Sequence, residues 1–298
     1  MSAICLGCGN FGGVGSAPEF YGQGIPHDEA LAIMDRAWDA GITWFDTGDA
    51  YGGGASETWI GEWIRDRGHR PVLTTKVFYA TTGRRADAGL APDRIRRQLE
   101  GSLTRLGVER VDLYLAHAPD DTVPVGETIA TFEALRDEGL VGAWGLSNYD
   151  EPRLRDALVH GRPALVQNSF SLLDQDSTRG VCRDQRIRFV PFGPLAGGWL
   201  TGKYRRGEAF PAGSRMTQRP EPYAQYTDDR VFDSLAALGA EAAARGVDMA
   251  ALAFAWVLAV CDGAVCGPGR AAHLDPVLAA RELELSSADV ERIGGLFA

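Results

Sequence analysis

Along the chain, short runs of aliphatic and aromatic residues alternate with longer stretches in which apolar residues return every three or four positions. The short runs lie at residues 4–9 (ICLGCG), 42–47 (ITWFDT), 72–77 (VLTTKV), 111–118 (VDLYLAHA), 141–147 (VGAWGLS), 165–169 (LVQNS), 188–194 (RFVPFGP) and 264–269 (AVCGPG). They read as strands. Helical patterns fall between them. Ile95, Leu99, Leu103 and Leu106 line one face behind Pro92, and Ile129, Phe132 and Leu135 line another between Pro124 and Gly139. Leu31, Met34 and Trp38 repeat the design ahead of Gly41, which is placed as a C-terminal cap. Eight strand-then-helix units in 298 residues predict an α/β fold, a (β/α)8 TIM barrel, rather than a doubly wound sheet. No composition shift or Ser/Pro-rich linker interrupts the chain, so residues 1–298 are expected to form a single domain. The exception to the regular pattern is 203–229, after the seventh strand. It has four arginines, one lysine, three prolines and no clear period, which predicts a long functional loop or a disordered one.

Composition narrows the function more than the fold. A formal charge of -10 argues against general nucleic-acid binding, which needs basic residues to neutralise phosphates. The longest apolar run, residues 249–261 between two aspartates, is too short to span a bilayer and reads as a buried helix. With no basic segment leading into a signal-like apolar stretch, a cytoplasmic protein without membrane partners is expected. Five cysteines are an odd number. Cys5-Leu-Gly-Cys8 has C-x2-C spacing but no second pair, so neither a disulfide framework nor a zinc site is indicated. Five histidines include no HxH pair, which argues against a metal-dependent hydrolase barrel.

Chemistry-bearing residues gather where parallel strands end, the end at which barrel sites form. The stretch FDTGDAYGGGASETWIG, residues 45–61, puts Asp46 at the end of strand two and Tyr51 in the loop that follows. Lys76 ends strand three and His117 ends strand four. Each has an ordinary explanation alone: a strand-end charge, a loop aromatic, a half-buried imidazole, a turn cap. Together they make a proton-transfer set. An ammonium beside a tyrosine favours its ionised form, an aspartate keeps the ammonium charged and placed, and a histidine can orient a substrate oxygen.

The motifs FDTGDAYGGGASE, VLTTK, VDLYLAHAPDD, GLSNY, VQNSFSLLD and FGPLAGGWLTGKY together resemble the aldo-keto reductases along nearly the whole chain. In detail they look most like bacterial members and the aflatoxin-aldehyde-reductase-like branch. The resemblance implies a barrel that binds a nicotinamide cofactor without a Rossmann motif and reduces small-molecule carbonyls. It assigns the catalytic tetrad to Asp46, Tyr51, Lys76 and His117. It assigns the nicotinamide carboxamide to Ser147, Asn148 and Gln167, with Phe192 stacking on the ring. Pro194, Leu195, Gly197, Leu200 and Lys203 match the loop that wraps the pyrophosphate.

At the adenosine end Gly267, Arg270 and His273 match, but Gly269 replaces a serine and Pro276-Val277 replace a Glu-Asn pair. NADP(H) is therefore expected to be preferred by a reduced margin, with NAD(H) possible. Phe11, Phe20, Tyr21 and Phe78 are expected to form an apolar substrate wall. Two alternatives share the site: an NAD-dependent dehydrogenase of a sugar or small alcohol, and a cofactor-sensing barrel with little turnover. Neither the substrate nor the oligomeric state follows from the sequence.

Overall fold

The computed structural model describes residues 3–81, 84 and 87–298. Eight parallel strands run in the order in which they were expected: β1 (Ile4–Gly7), β2 (Trp44–Asp46), β3 (Val72–Val77), β4 (Val111–Ala116), β5 (Val141–Ser147), β6 (Leu165–Gln167), β7 (Arg188–Phe189) and β8 (Ala264–Cys266). Each pairs with its sequence neighbour, and β8 pairs with β1. The last gap is bridged by Asp262 N donating to Phe189 O (3.1 Å) and Val265 N donating to Pro191 O (2.8 Å). The sheet thereby closes into a (β/α)8 barrel.

Strand side chains point alternately in and out, and the two faces fill two separate cores. Cys5, Trp44, Leu113, Leu115, Leu165, Val190 and Val265 pack together inside the barrel. Ile4, Leu6, Phe45, Tyr114, Val166, Phe189 and Cys266 pack outward against the helices. The helices of the first half are α1 (His27–Asp39), α2 (Ala55–Arg67), α3 (Pro92–Leu106), α4 (Val125–Asp137), α5 (Glu151–His160) and α6 (Thr178–Gln185). Those of the second half are α7 (Arg215–Gln218), α8 (Asp229–Ala244), α9 (Met249–Val260), α10 (Asp275–Arg281) and α11 (Ser287–Gly295).

The face that α1 buries is offset from the expected one. Ala30, Ile33, Met34 and Ala37 meet the sheet, while Leu31 and Trp38 are only partly buried. Small alanines let the helix sit close, and Trp38 packs at the edge against Trp63 and His69. Helix α9 buries nearly its whole surface, Ala250 to Val257, as its uniform apolarity predicts. Among the described residues no single helix is long and apolar enough to cross a membrane.

The 203–229 segment is folded. Trp199 collects Tyr204, Phe210 and Tyr226 around its ring, Met216 is buried, and Arg215 Nη2 donates to Asn10 Oδ1 at 2.6 Å. Its lack of period reflects anchoring by single aromatic and polar residues instead of a continuous helical face.

Candidate active site

In β2, Trp44 points into the barrel, so Asp46, two residues on, also points inward at the strand's end. The same parity carries Leu115 to His117, Leu165 to Gln167, Ala143 to Ser147 and Val72 to Lys76. One inward layer at the carboxyl end therefore receives side chains from β2 through β6. Backbone bonds extend this register past the strands: Thr47 N donates to Thr74 O (2.8 Å), Asp49 N to Lys76 O (3.1 Å) and His117 N to Val77 O (2.9 Å).

Tyr51 is brought over this layer by the three glycines that follow it. Gly52, Gly53 and Gly54 have φ of 59°, 68° and 95°, a left-handed run that other residues adopt at a cost. A Cβ on Gly52 would lie 2.4 Å from the Phe11 carbonyl oxygen, so the turn also needs the space.

The four expected catalytic side chains meet. Lys76 Nζ forms a short ion pair with Asp46, donates to Thr47 O at 2.8 Å and stands 3.5 Å from the Tyr51 hydroxyl. Tyr51 OH lies 3.1 Å from His117 Nε2. Burial works against the Lys76 ammonium, but Asp46 and Tyr51 outweigh it and raise its pKa, so it stays charged. Burial, then the Lys76 charge, hold His117 well below the ordinary imidazole range, so it is neutral. The tyrosine corrects the simpler sequence argument. Desolvation pushes its phenol up to about 12, and the opposing pull of Lys76 is the smaller effect.

The nicotinamide-side residues occupy the ends of β5 and β6 and the loop after β7. Ser147 and Gln167 are buried, and Asn148 takes a left-handed φ of 60° with Nδ2 donating to His117 O (2.8 Å) and Ser147 Oγ (3.2 Å). Gln167 Nε2 donates to Asp46 Oδ2 at 2.9 Å, so this amide also braces the tetrad. Phe192 is half-buried on the barrel's inner cluster. Pro194 and Leu195 lead into the turn Ala196–Thr201, where Gly197 and Gly198 have φ of 64° and 96°.

Leu200 is fully buried in the outer core, and the space beside Gly197 is filled by Tyr223, whose ring would lie 2.5 Å from a Cβ there. Lys203 folds back over Gly198 and the Tyr204 ring.

After β8, the Gly269 amide and Arg270 Nε each lie 3.1 Å from a His273 ring nitrogen. His273 is held below its ordinary pKa by burial and by the Arg270 and Lys203 charges, which marks a cationic corner. Gly267 is open on the side facing Asn10. Val277 is buried in α10 and presents no group to this corner.

The expected aromatic wall divides. Phe11 is fully buried in the outer core and lines no opening. It forms a β-bridge with Ile25, and this pairing turns it inward. Phe20, Tyr21 and Phe78 are only half-buried. The Tyr21 ring covers Gly53, and its hydroxyl lies 3.4 Å from the Ala80 carbonyl.

Several residues escaped the sequence reading. Tyr79 meets the His117 ring edge-on at 4.8 Å, Glu29 accepts from the Ala271 amide at 2.9 Å, and Asp49 is fully buried in the loop ahead of Tyr51. Only Asp49 left a signal, as a second acid in FDTGDAY; the others act across elements. The five cysteines are free, and no group of His, Cys, Asp or Glu among the described residues could hold a metal ion.

Comparison with known proteins agrees with this architecture. A family model described as the aldo/keto reductase family matches residues 3–297. The chain is 30% identical over 274 residues to an NADP(+) aldo-keto reductase of Schizosaccharomyces pombe, covering 88% of this chain and 80% of the relative. It is 32% identical over 323 residues to the oxidoreductase YrpG of Bacillus subtilis, covering 100% and 92%. Among solved structures, the glycerol dehydrogenase of Gluconobacter oxydans superposes with a TM-score of 0.83 at 23% identity, covering 99% of this chain and 91% of that one, which speaks to the fold. With the family matched from end to end and its barrel in place, the chain belongs to the aldo/keto reductase family of oxidoreductases.

Proposed function

We propose that this protein reduces an aldehyde or ketone to the alcohol, with Tyr51 as the general acid. The observation that carries this reading is the convergence of Asp46, Lys76 and His117 in one inward layer at the barrel mouth, with Tyr51 held over it. The residues around it suit a dinucleotide. Ser147, Asn148 and Gln167 offer donors and acceptors for a carboxamide, Phe192 offers a flat apolar face, and Lys203, Arg270 and His273 suit phosphate. When bound, the nicotinamide supplies the hydride.

The chain's own residues handle the proton. Because Tyr51 has a pKa of about 12, it holds its proton at neutral pH and donates it to the carbonyl oxygen as negative charge develops there. An alkoxide is a stronger base than a phenolate, so the transfer runs downhill. The Lys76 ammonium, 3.5 Å away, stabilises the phenolate that results. Neutral His117 can donate a hydrogen bond to the same oxygen without titrating. Asp46, braced by Gln167, keeps Lys76 aimed at Tyr51.

The cationic corner and the NADP(+) relative support NADPH as the preferred cofactor. Gly269 supplies no hydroxyl beside Arg270, so the preference over NADH is modest. The test is Tyr51→Phe, measured by NADPH titration and by steady-state rates on one aldehyde. Binding should be nearly unchanged while turnover falls by roughly two or more orders of magnitude. Near-normal turnover would sink the role given to Tyr51.

A further inference from the structure

Where β7 and β8 begin, at the other ends of the strands from the candidate active site, a cleft of about 470 Å³ separates the α6–β7 corner from the turn between α9 and β8. Arg179, Arg183, Arg186 and Arg188 line it, against one acid, Asp262. In a chain with a net charge of -10, this is a local reversal of sign.

Little of this charge is spent on the protein itself. Arg179 lies 5.3 Å from the Phe170 ring centroid and donates to Val260 O at 3.0 Å, with no carboxylate paired to it among the described residues. Arg183 meets only its neighbour Asp184, and both are largely exposed, so the contact contributes little. The Arg186 guanidinium has no hydrogen bond or ion pair among the described residues. By contrast, Arg153, Arg206, Arg245 and Arg292 each hold two carboxylates.

The backbone gives an independent sign. Arg186 closes α6 with a φ of 55°, in the left-handed region that favours glycine, whereas α2 and α3 end on Gly68 and Gly107 in that conformation. Arg162 holds the turn by donating to the carbonyls of Gln185 and Arg186. An arginine thus stands where glycine would fit without strain, and its side chain lines the cleft. The cleft also straddles the barrel's seam, where Phe189 N donates to Asp262 Oδ2 at 2.9 Å and Asp262 N to Phe189 O at 3.1 Å.

We propose that this cleft binds a small organic phosphate, with Arg179, Arg183 and Arg186 holding the phosphate and Ile187, Ala259 and Val260 offering apolar surface to its carbon part. A phosphate monoester carries three terminal oxygens and nearly two negative charges at neutral pH, so it can engage several guanidiniums where a carboxylate is matched by one. The volume suits a small molecule better than a bare ion.

Titration calorimetry with phenyl phosphate, inorganic phosphate and benzoate tests this, with excess NADPH present to cover the cationic corner at Arg270. Phenyl phosphate should bind about tenfold more tightly than either of the others, because inorganic phosphate leaves the apolar surface uncovered and benzoate has too little charge. Arg186→Gly should weaken phenyl phosphate by about tenfold and melt no lower than the wild type, since glycine suits the turn. Arg183→Gln repeats the test at an exposed position without touching the turn, and should also weaken binding. Arg270→Ala should leave it unchanged. Equal affinity for the two phosphates would reduce the cleft to an ion site and overturn the proposal. Wild-type affinity in both Arg186→Gly and Arg183→Gln would overturn it as well, and loss in Arg270→Ala would move the phosphate to the cofactor corner.

Discussion

Asp46 and Asp49 stand three residues apart in one turn, both are buried, and they meet opposite fates. Asp46 pairs one oxygen with Lys76 from β3 and accepts from Gln167 of β6 on the other. Asp49 has no side-chain partner on either oxygen. Burial, then the charge of Glu57, push its carboxyl up to about 8, so it is mostly protonated at neutral pH. The cations near it are already engaged. Arg105 pairs with buried Glu57 at 2.7 Å, and Arg94 donates to the carbonyls of Asp87, Gly89 and Tyr79. A buried acid in this barrel is thus a charged positioning group or a neutral one according to which strands supply a donor.

The largest test of that contrast removes the ammonium. Lys76→Met should lower turnover by roughly two or more orders of magnitude and cost about 3–5 kcal/mol of stability, because Asp46 is left charged and buried. Adding Asp46→Asn should restore much of the stability, measured by urea unfolding, and none of the turnover. A single mutant as stable as the wild type would show that Asp46 does not depend on Lys76.

Asp49 should behave in the reverse sense. Its folded pKa of about 8 lies above its unfolded value of 3.8, so the unfolded chain loses the proton first as pH rises. The contribution of this group to stability is complete below pH 3.8, declines as pH rises, and levels off past about 8. The slope is about 1.4 kcal/mol per pH unit. Asp49→Asn removes it, so the mutant should gain on the wild type by about 3 kcal/mol between pH 5 and pH 7. A constant difference across that range would mean that Asp49 is ionised in the fold.

A smaller change weakens Asp46 without removing its charge partner. Gln167→Ala should cost about 1.5–3 kcal/mol, the range for a hydrogen bond to a charged group, and should weaken cofactor binding. Unchanged stability would assign the bracing of Asp46 to Lys76 alone. The smallest effect is expected at the exposed cationic corner, where solvent shares the load. Arg270→Ala should weaken NADPH by about tenfold, or about 1.4 kcal/mol, and hardly affect NADH. Dissociation constants for both cofactors check it, and equal losses would show that Arg270 serves a part of the nucleotide common to both.

The places where the sequence misleads share a cause. From their immediate surroundings Phe11 reads as a pocket residue and Leu31 as part of the helix face that meets the sheet. Phe11 is drawn inward by its bridge to Ile25. In α1 the closest approach to the sheet belongs to alanines, which a search for large apolar residues passes over. Tyr79 acts through its edge-on contact with His117, at the end of a different strand, which no local pattern reveals.

By itself the sequence determined the number and order of strands, the alternation of helices between them, and the strand ends at which Asp46, Lys76, His117, Ser147 and Gln167 fall. These are local properties: the alternation of side chains along a strand, the spacing along a helix, and the glycines that a left-handed turn requires. Tertiary structure alone decided the partners. Asp46 and Gln167 are 121 residues apart, and closure of the barrel makes them neighbours. Asp49, with the same side chain three residues on, points where the nearby guanidiniums of Arg94 and Arg105 are already engaged. Charge state and tyrosine acidity depend on burial and on distances across the barrel, which exist only once the chain has closed on itself.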